Sequence, residues 1–451
     1  MDKEALIQAI RDAGVVGQGG AGFPAHVKYD VGVETVIANG CECEPLLHTD
    51  QHVMRTEARE IVRALREVVT ATGAARGVVG IKRKYAAVAE AFTQAFAEPG
   101  PGSGVPLELF QMDNFYPAGD EQILVHEVTG RTIPPLGLPK DVGALVANVG
   151  TLYAVSRAMD GEPVTHKLLT VTGEVARPAI LRVPIGTTIA ECVAHCGGAT
   201  VEDPVFLLGG PMMGRFADTP EAMASTLVTK TSGGVIVLER GHHLHRSATL
   251  PVREMQRRAA VACIQCRACT DLCPRHLIGH GFETHKVMRA FGGGTDAAMG
   301  ALQAWMCCEC GVCELFSCPM SLSPRRINAL LKQEFRRAGA QYSGPREVLP
   351  AQADLRPFRK IPVPRLAHRL DIDRYMDIHP EFQGDYAPGS VRIPLQQHIG
   401  APAVATVKAG DAVKAGARIG AIPEGKLGAA VHASISGTVA EVDDCITIKG
   451  D

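Results

Sequence analysis

The chain has 451 residues, 46% hydrophobic and 21% charged, so it is long enough for two to four domains and too apolar to be disordered by default. Lys and Arg total 46 against 48 Asp and Glu, a formal net charge of −2, and nothing in that balance calls for nucleic acid or an anionic membrane surface. The N-terminus has no apolar signal core and no run of about 18–20 apolar residues occurs, so no membrane span is expected and a reducing cytoplasm is the expected setting.

Residues 1–160 alternate between α and β patterns. Residues 33–39 and 77–81 are short β-rich runs, while 57–72, with Ile61, Leu65, Val68 and Val69 on one face, and 85–97 are amphipathic helices. Residues 98–106 are a turn-rich loop. Strands separated by helices predict a mainly parallel, Rossmann-like sheet. Residues 161–245 change to a small α+β module, with strands at 168–174, 205–208 and 233–238 and a helix at 188–196. Residues 250–342 hold a cysteine cluster between helical stretches. Residues 343–388, rich in Pro and Arg, read as a linker with one short helix. Residues 389–451 read as short strands joined by tight turns, two of them in the internal repeat Lys408-Ala-Gly-Asp411 and Lys414-Ala-Gly-Ala417.

Nine of the fourteen cysteines lie between Cys263 and Cys318. They form Cys263-x2-Cys266-x2-Cys269-x3-Cys273-Pro274 and Cys307-x2-Cys310-x2-Cys313-x4-Cys318-Pro319. Two-residue spacing wraps three thiolates round three corners of an iron–sulfur cube, and in two-cluster ferredoxins the fourth cysteine ligates the other cluster. The expected sets are therefore Cys263, Cys266, Cys269 and Cys318 for one 4Fe–4S cluster, and Cys307, Cys310, Cys313 and Cys273 for the other. Zinc sites more often pair two CxxC units. Cys308 reads as a neighbouring non-ligand; taking it in place of Cys307 would leave an unusually short spacing to Cys310. Cys192 and Cys196 read as core thiols, Cys41 and Cys43 as packing residues with a redox role as the alternative, and Cys445 has no evident partner. His242, His243 and His245 read as a solvated basic loop, with metal or corrinoid ligation as the alternative.

A glycine-rich loop, Gly17-Gln18-Gly19-Gly20-Ala21-Gly22-Phe23-Pro24, precedes Lys28, and such a loop exposes backbone N–H groups to a phosphate. Downstream come Asn39-Gly-Cys41-Glu42-Cys43-Glu44-Pro45 and Asp50, then Tyr116-Pro-Ala-Gly119-Asp120-Glu121, then Asn148-Val-Gly150-Thr151. In that order these segments resemble the NADH- and FMN-binding flavin subunit of respiratory complex I. The resemblance implies that Gly17, Gly19, Gly20, Gly22 and Lys28 cradle phosphates and that Phe23 stacks on a nicotinamide-cofactor ring. It implies further that Asn39, Glu42, Glu44, Gly119, Asp120, Glu121, Asn148 and Thr151 hold FMN, non-covalently, or NADH. Three positions depart from the family pattern: Cys41 stands for an Asp, Asp120 for a Glu and Gly150 for a Glu.

The middle module, with Gly209-Gly210-Pro211-Met212-Met213-Gly214, is similar to the soluble-ligand-binding β-grasp module. The C-terminus, with Gly410-Asp411-x-Val413-x-x-Gly416, resembles a barrel-sandwich hybrid of the biotinyl/lipoyl kind, but no carrier lysine stands near residues 431–439. Two families combine these modules: the C subunit of the Rnf electron-transport complex and the cobalamin reductases of propanediol-utilisation microcompartments. The module order resembles the second family along the whole chain. That resemblance implies transfer of electrons from NADH through FMN and two clusters to cobalamin. The product would be cob(I)alamin, made inside a bacterial microcompartment beside an adenosyltransferase and a diol dehydratase. An electron-transfer subunit of a larger Rnf-like assembly is the alternative.

Overall fold

The computed structural model describes residues 1–100, 102, 104–293, 297–352 and 354–450. Four short strands form the N-terminal sheet: β1 (Thr35–Gly40), β2 (Arg76–Lys82), β3 (Leu107–Met112) and β4 (Ala144–Asn148). β1, β2 and β4 are almost wholly buried, as unbroken runs such as TVIANG and ALVAN require of strands covered on both faces. The order is β3-β2-β1-β4 and every pairing is parallel. One face is covered by the helices Lys3–Asp12, Ala58–Thr72 and Val149–Met159, and the other by Glu121–Thr129.

That order places the functional crevice. The chain steps outward from β1 to β3 and then returns to the far side of β1, so the strand order reverses between β1 and β4 and their C-terminal ends lie side by side. In open α/β sheets ligands bind at such a switch point. Asn39 of β1 pairs in register with Asn148 of β4 there.

The second module is a mixed sheet of β5 (His166–Gly173), β6 (Ala179–Pro184), β7 (Pro204–Leu208), β8 (Arg215–Ala217) and β9 (Gly234–Glu239), with the helix Ile189–His195 across it. Thr188 and Glu191 cap that helix reciprocally, as the Thr-x-x-Glu spacing favours. Cys192 and Cys196 are fully buried in this core.

Residues 343–388 are not a linker. They form three short helices, Arg356–Arg359, Val363–Arg369 and Asp373–Met376, and two strand segments. Ile361–Pro362 pairs with Phe115–Tyr116 of the N-terminal domain, and β10 (Glu381–Asp385) adds to β6 as the edge of the mixed sheet, giving the order β10-β6-β5-β9-β7-β8. Leu366, Leu370 and Ile372 are fully buried. The abundant Pro and Arg are read in sequence as solvated, but the prolines start helices and the apolar residues between them pack inward as a strap.

The C-terminal module is two small sheets facing across one core. β11 (Ser390–Pro394), β13 (Ala412–Val413), β16 (Gly437–Val442) and β17 (Cys445–Gly450) form one, in the order β11-β17-β16-β13; β12 (Val404–Ala405), β14 (Arg418–Ala421) and β15 (Val431–His432) form the other. The internal repeat forms two tight turns, closed by Asp411 N to Lys408 O and Ala417 N to Lys414 O. Lys230 joins three modules: it is buried, and its ammonium donates to Gly14 O and Ala430 O, both at 2.6 Å. Among the described residues no helix is long and apolar enough to cross a membrane.

Candidate functional site

The crevice at the β1/β4 switch point is lined by the glycine-rich loop and by the segments after β1 and β4. Asn148 caps the helix Val149–Met159, its Oδ1 accepting from Gly150 N at 2.8 Å, while its Nδ2 donates to Asp50 at 2.7 Å. Gln18 N donates to Thr151 Oγ1, which ties the loop to that helix N-terminus. A Cβ on Gly19 would lie 2.9 Å from Asn148 Nδ2, so only glycine fits between loop and cap, while a Cβ on Gly20 would meet nothing within 4 Å and so borders open space. A glycine loop facing a helix N-terminus suits a phosphate. Gly22 has another job. Its φ is +75°, and a Cβ there would press on His398 Cα, so this glycine lets the C-terminal module dock.

The opposite wall is acidic. Glu42 Oε1 accepts from Glu44 N at 2.8 Å, and Glu44 Oε2 accepts from Met212 N at 2.9 Å. Burial, helped by Asp50, pushes the Glu42 carboxyl up to about 7; burial pushes Glu44 to about 8, against the pull of the Met212 N–H. Asp50 is raised by burial as well. Glu44 Oε1 is buried without a hydrogen-bond partner, a polar atom aimed at a group that would complete it. Asn39 Nδ2 holds Gly119 O, and a Cβ on Gly119 would lie 2.6 Å from Cys41 O. Cys41 is fully buried against Met112, and burial pushes its thiol up to about 12, which fits a packing residue. Donor loop, helix N-terminus and protonatable wall together fit a flavin phosphate at one end and a flavin ring system at the other.

Three residues of the expected set, Lys28, Glu121 and Asp120, are engaged in ion pairs. Lys28 is paired with Glu121 at 2.9 Å, each about a third exposed. Asp120 caps the helix Glu121–Thr129 and binds Arg275 with both oxygens, at 2.8 and 2.9 Å. Side chains 15% and 9% exposed make this a largely buried bidentate pair. Arg275 follows Cys273-Pro274, so Asp120 joins the crevice domain to the cysteine domain.

The two cysteine motifs fold alike. Gln265 and Arg267 in the first, and Glu309 and Gly311 in the second, all have left-handed backbone, with φ of 54°, 65°, 59° and 81°. The same two offsets from Cys263 and Cys307 turn each loop, so by loop register Cys307 matches Cys263 and Cys308 matches Ile264, although the Cys308 thiol is turned inward against Cys310 and beside Cys273. Gln265 Nε2 points at Cys263 Sγ, Glu309 N at Cys307 Sγ and Leu322 N at Cys318 Sγ, between 3.1 and 3.4 Å. Such N–H···S contacts help set cluster potentials. Cys263, Cys266, Cys269 and Cys318 line one small pocket, together with His285 and Met288. Among the described residues no three His, Cys, Asp or Glu stand close enough to share a single metal ion. In the first motif the thiols surround that pocket, and a four-thiol donor set of this kind fits a multi-iron cluster.

The second motif is tied to the crevice. Tyr116 Oη donates to Cys310 O at 2.7 Å, and Met212, whose N–H binds Glu44, has its carbonyl oxygen held by Arg325 and closely approached by Gly311. Tyr116 and Met212 lie in segments that the sequence marks, but the contacts of Tyr116, Met212 and Arg275 show no local pattern, because each partner is more than 100 residues away. The histidine triplet is not a solvated loop. His242 and His245 are buried; His242 pairs with Asp371 O at 3.0 Å and His245 with Asp218 at 3.2 Å, so they brace the mixed sheet and the strap.

Comparison with known proteins follows the same divisions. Residues 10–157 match the Nuo51 FMN-binding domain, 168–216 the SLBB domain, 262–323 a 4Fe-4S dicluster domain and 382–451 the RnfC barrel sandwich hybrid domain. The chain is 42% identical over 448 residues to "Cobalamin reductase PduS" of Citrobacter freundii, covering 98% of this chain and 96% of that one. It is 32% identical over 283 residues to the C subunit of the Na(+)-translocating ferredoxin:NAD(+) oxidoreductase complex of Acetobacterium woodii, covering 61% and 59%. In fold it is similar to a chain of an NAD+-reducing NiFe-hydrogenase in the air-oxidized state, with a TM-score of 0.51 and 22% identity, covering 82% of this chain and 67% of that chain.

Proposed function

The chain belongs to the cobalamin reductase PduS family, an oxidoreductase with FMN-binding and 4Fe-4S domains, and on that premise we propose that it carries electrons from NADH through FMN and two 4Fe–4S clusters to cobalamin. When bound, FMN would accept a hydride from NADH and the clusters would pass electrons on one at a time. Gly19, Gly20 and the capped helix at Asn148 would seat the flavin phosphate. Glu42 and Glu44, raised toward neutrality, would face the flavin ring as groups able to hold or yield a proton near pH 7. Phe23, 37% exposed at the rim, would stack on the nicotinamide cofactor. Cys307, Cys310, Cys313 and Cys273 would hold the cluster next to the flavin, and Cys263, Cys266, Cys269 and Cys318 the outer one. Cob(I)alamin would be the product, made in a bacterial microcompartment beside an adenosyltransferase and a diol dehydratase.

The observation that carries this reading is the Tyr116–Cys310 contact together with the Asp120–Arg275 pair, which join the crevice to one thiol set. The test is the purified chain, reconstituted anaerobically, mixed with NADH and cob(II)alamin. Formation of cob(I)alamin, followed by absorbance, supports the reading. Flavin and clusters that bleach with no change in the corrinoid favour the second reading, an electron-transfer subunit, to which the ion-translocating relatives point.

A further inference from the structure

The glycine-rich loop gets little charge from its own domain, since Lys28 is paired with Glu121. A second lysine reaches it from another module. Lys167 lies on β5 of the mixed sheet, is 8% exposed, and its Nζ donates to Gln18 Oε1 at 2.5 Å. The partner is a neutral amide, so a buried ammonium stands at the loop incompletely compensated. Burial pulls its pKa down to about 8, with Asp50 and Glu42 holding it up.

The surroundings of that ammonium are the crevice end fitted for a phosphate. A Cβ on Gly150 would lie 3.1 Å from both Gln18 Oε1 and Asn148 Oδ1, and Gly19 abuts the same Asn148. Gln18, Gly19, Asn148 and Gly150 are therefore contiguous at the N-terminus of the helix Val149–Met159. A longer side chain at 150 would crowd the Gln18 amide that holds Lys167, so Gly150 keeps room for that contact. Resting on the flavin reading above, we propose that Lys167 meets the phosphate ester of the flavin seated on the glycine-rich loop, which makes the cofactor site shared between the N-terminal domain and the mixed-sheet module. The module would then serve cofactor retention, whatever else it binds.

The probe is a pair of ligands differing only in that phosphate, FMN and riboflavin, titrated by fluorescence quenching into the full-length, cluster-loaded chain stripped of flavin. Lys167→Met is expected to weaken FMN at least tenfold and leave riboflavin unchanged, and Lys167→Arg to restore most of the FMN affinity. Iron content and melting temperature report folding. If Lys167→Met loses iron, Lys167→Gln, which can still bond Gln18, is titrated with the same expectation. Equal loss of FMN and riboflavin, or no loss of either, would make Lys167 a structural strut and overturn the proposal. Unchanged FMN with a raised KM for NADH would assign the lysine to the nicotinamide dinucleotide and also overturn it. A parental chain that binds neither flavin would instead sink the flavin reading.

Discussion

The two thiol cages share one loop geometry and differ in what surrounds them. The cage of Cys263, Cys266, Cys269 and Cys318 sits at the surface: Cys266 is exposed, and Ile264 and Val261 beside it are 64% and 79% exposed. In the other, Cys273, Cys310 and Cys313 are buried, and Cys310 shares a core with Tyr116 and Met212. Side chains reach the second cage from the flavin-side crevice through Tyr116 and Asp120 and through the Met212 peptide. Two cysteine triplets of equal spacing thus yield an inner cage held by three modules and an outer one at the surface. An electron relay needs that asymmetry, because entry must exclude solvent while exit must admit a partner.

The largest expected effect comes from removing iron. A ferrous chelator added to the reduced, cluster-loaded chain should release iron in two phases, the fast one from the outer cage. Cys266→Ala should abolish the fast phase and Cys310→Ala the slow one, with iron analysis and electron paramagnetic resonance as readouts. Flavin bleaching by NADH should survive both. A single phase, or the same phase lost in both variants, would mean that the cages are equally accessible.

The next effect is on stability. Arg275→Met leaves the Asp120 carboxylate buried without its cation, and breaking such a pair from one side typically costs about 3–5 kcal/mol. Denaturant unfolding should show a loss of that order. Asp120→Asn combined with Arg275→Met should recover part of it, since the uncompensated charge is gone while the helix cap is kept. An additive double variant would show that the two side chains do not act as a pair.

Much of this arrangement is legible in sequence, and the limits have physical causes. Triplet spacing with a trailing Cys-Pro predicts each cage, because three thiolates two residues apart have few other ways to meet iron. The parallel sheet follows from strands and helices that alternate. The strap at 343–388 is not legible, because its buried residues, Leu366, Leu370 and Ile372, are scattered among Arg and Pro and cover other domains, not one another. The same holds for Lys167 and Asp120. Local pattern marks both as surface charges or motif members, and only the docking of the modules shows where each goes. The Gly209–Gly214 loop belongs to a module whose sequence leaves ligand binding and a structural role equally open; a Cβ on Gly210 would collide with Glu44, so the loop packs against the acidic wall, which only the docked modules show.

A smaller, pH-dependent effect separates the inner wall from the rest. A carboxyl raised by burial binds its proton more tightly when folded, so its burial costs little below the free value of 4.5 and most above about 8, the position to which Glu44 is pushed. The flavin-free chain should therefore lose stability as pH rises from about 4.5 to about 8. Glu44→Gln should flatten that slope, Glu42 keeping the part that ends near 7. Melting temperature against pH checks it, and a slope unaffected by the substitution would place the titrating groups elsewhere.

The smallest effect tests the join itself. Tyr116→Phe removes one hydroxyl and keeps a fully packed ring, so the core around Leu46 and Met212 is preserved. What is lost is the 2.7 Å hydrogen bond to Cys310 O, a net cost of about 1 kcal/mol. Cys310 contributes a thiol to the inner cage and none to the outer. The loosened carbonyl should therefore shift the spectrum or potential of the inner cluster only, and slow its reduction by bound flavin, while the outer cluster keeps its signal. Low-temperature paramagnetic resonance, with and without Cys266→Ala in the background, resolves the two, since that substitution leaves the inner signal alone and the difference gives the outer one. Equal perturbation of both clusters would show that Tyr116 supports the cysteine domain as a whole, and the division into an inner and an outer cage would lose its strongest contact.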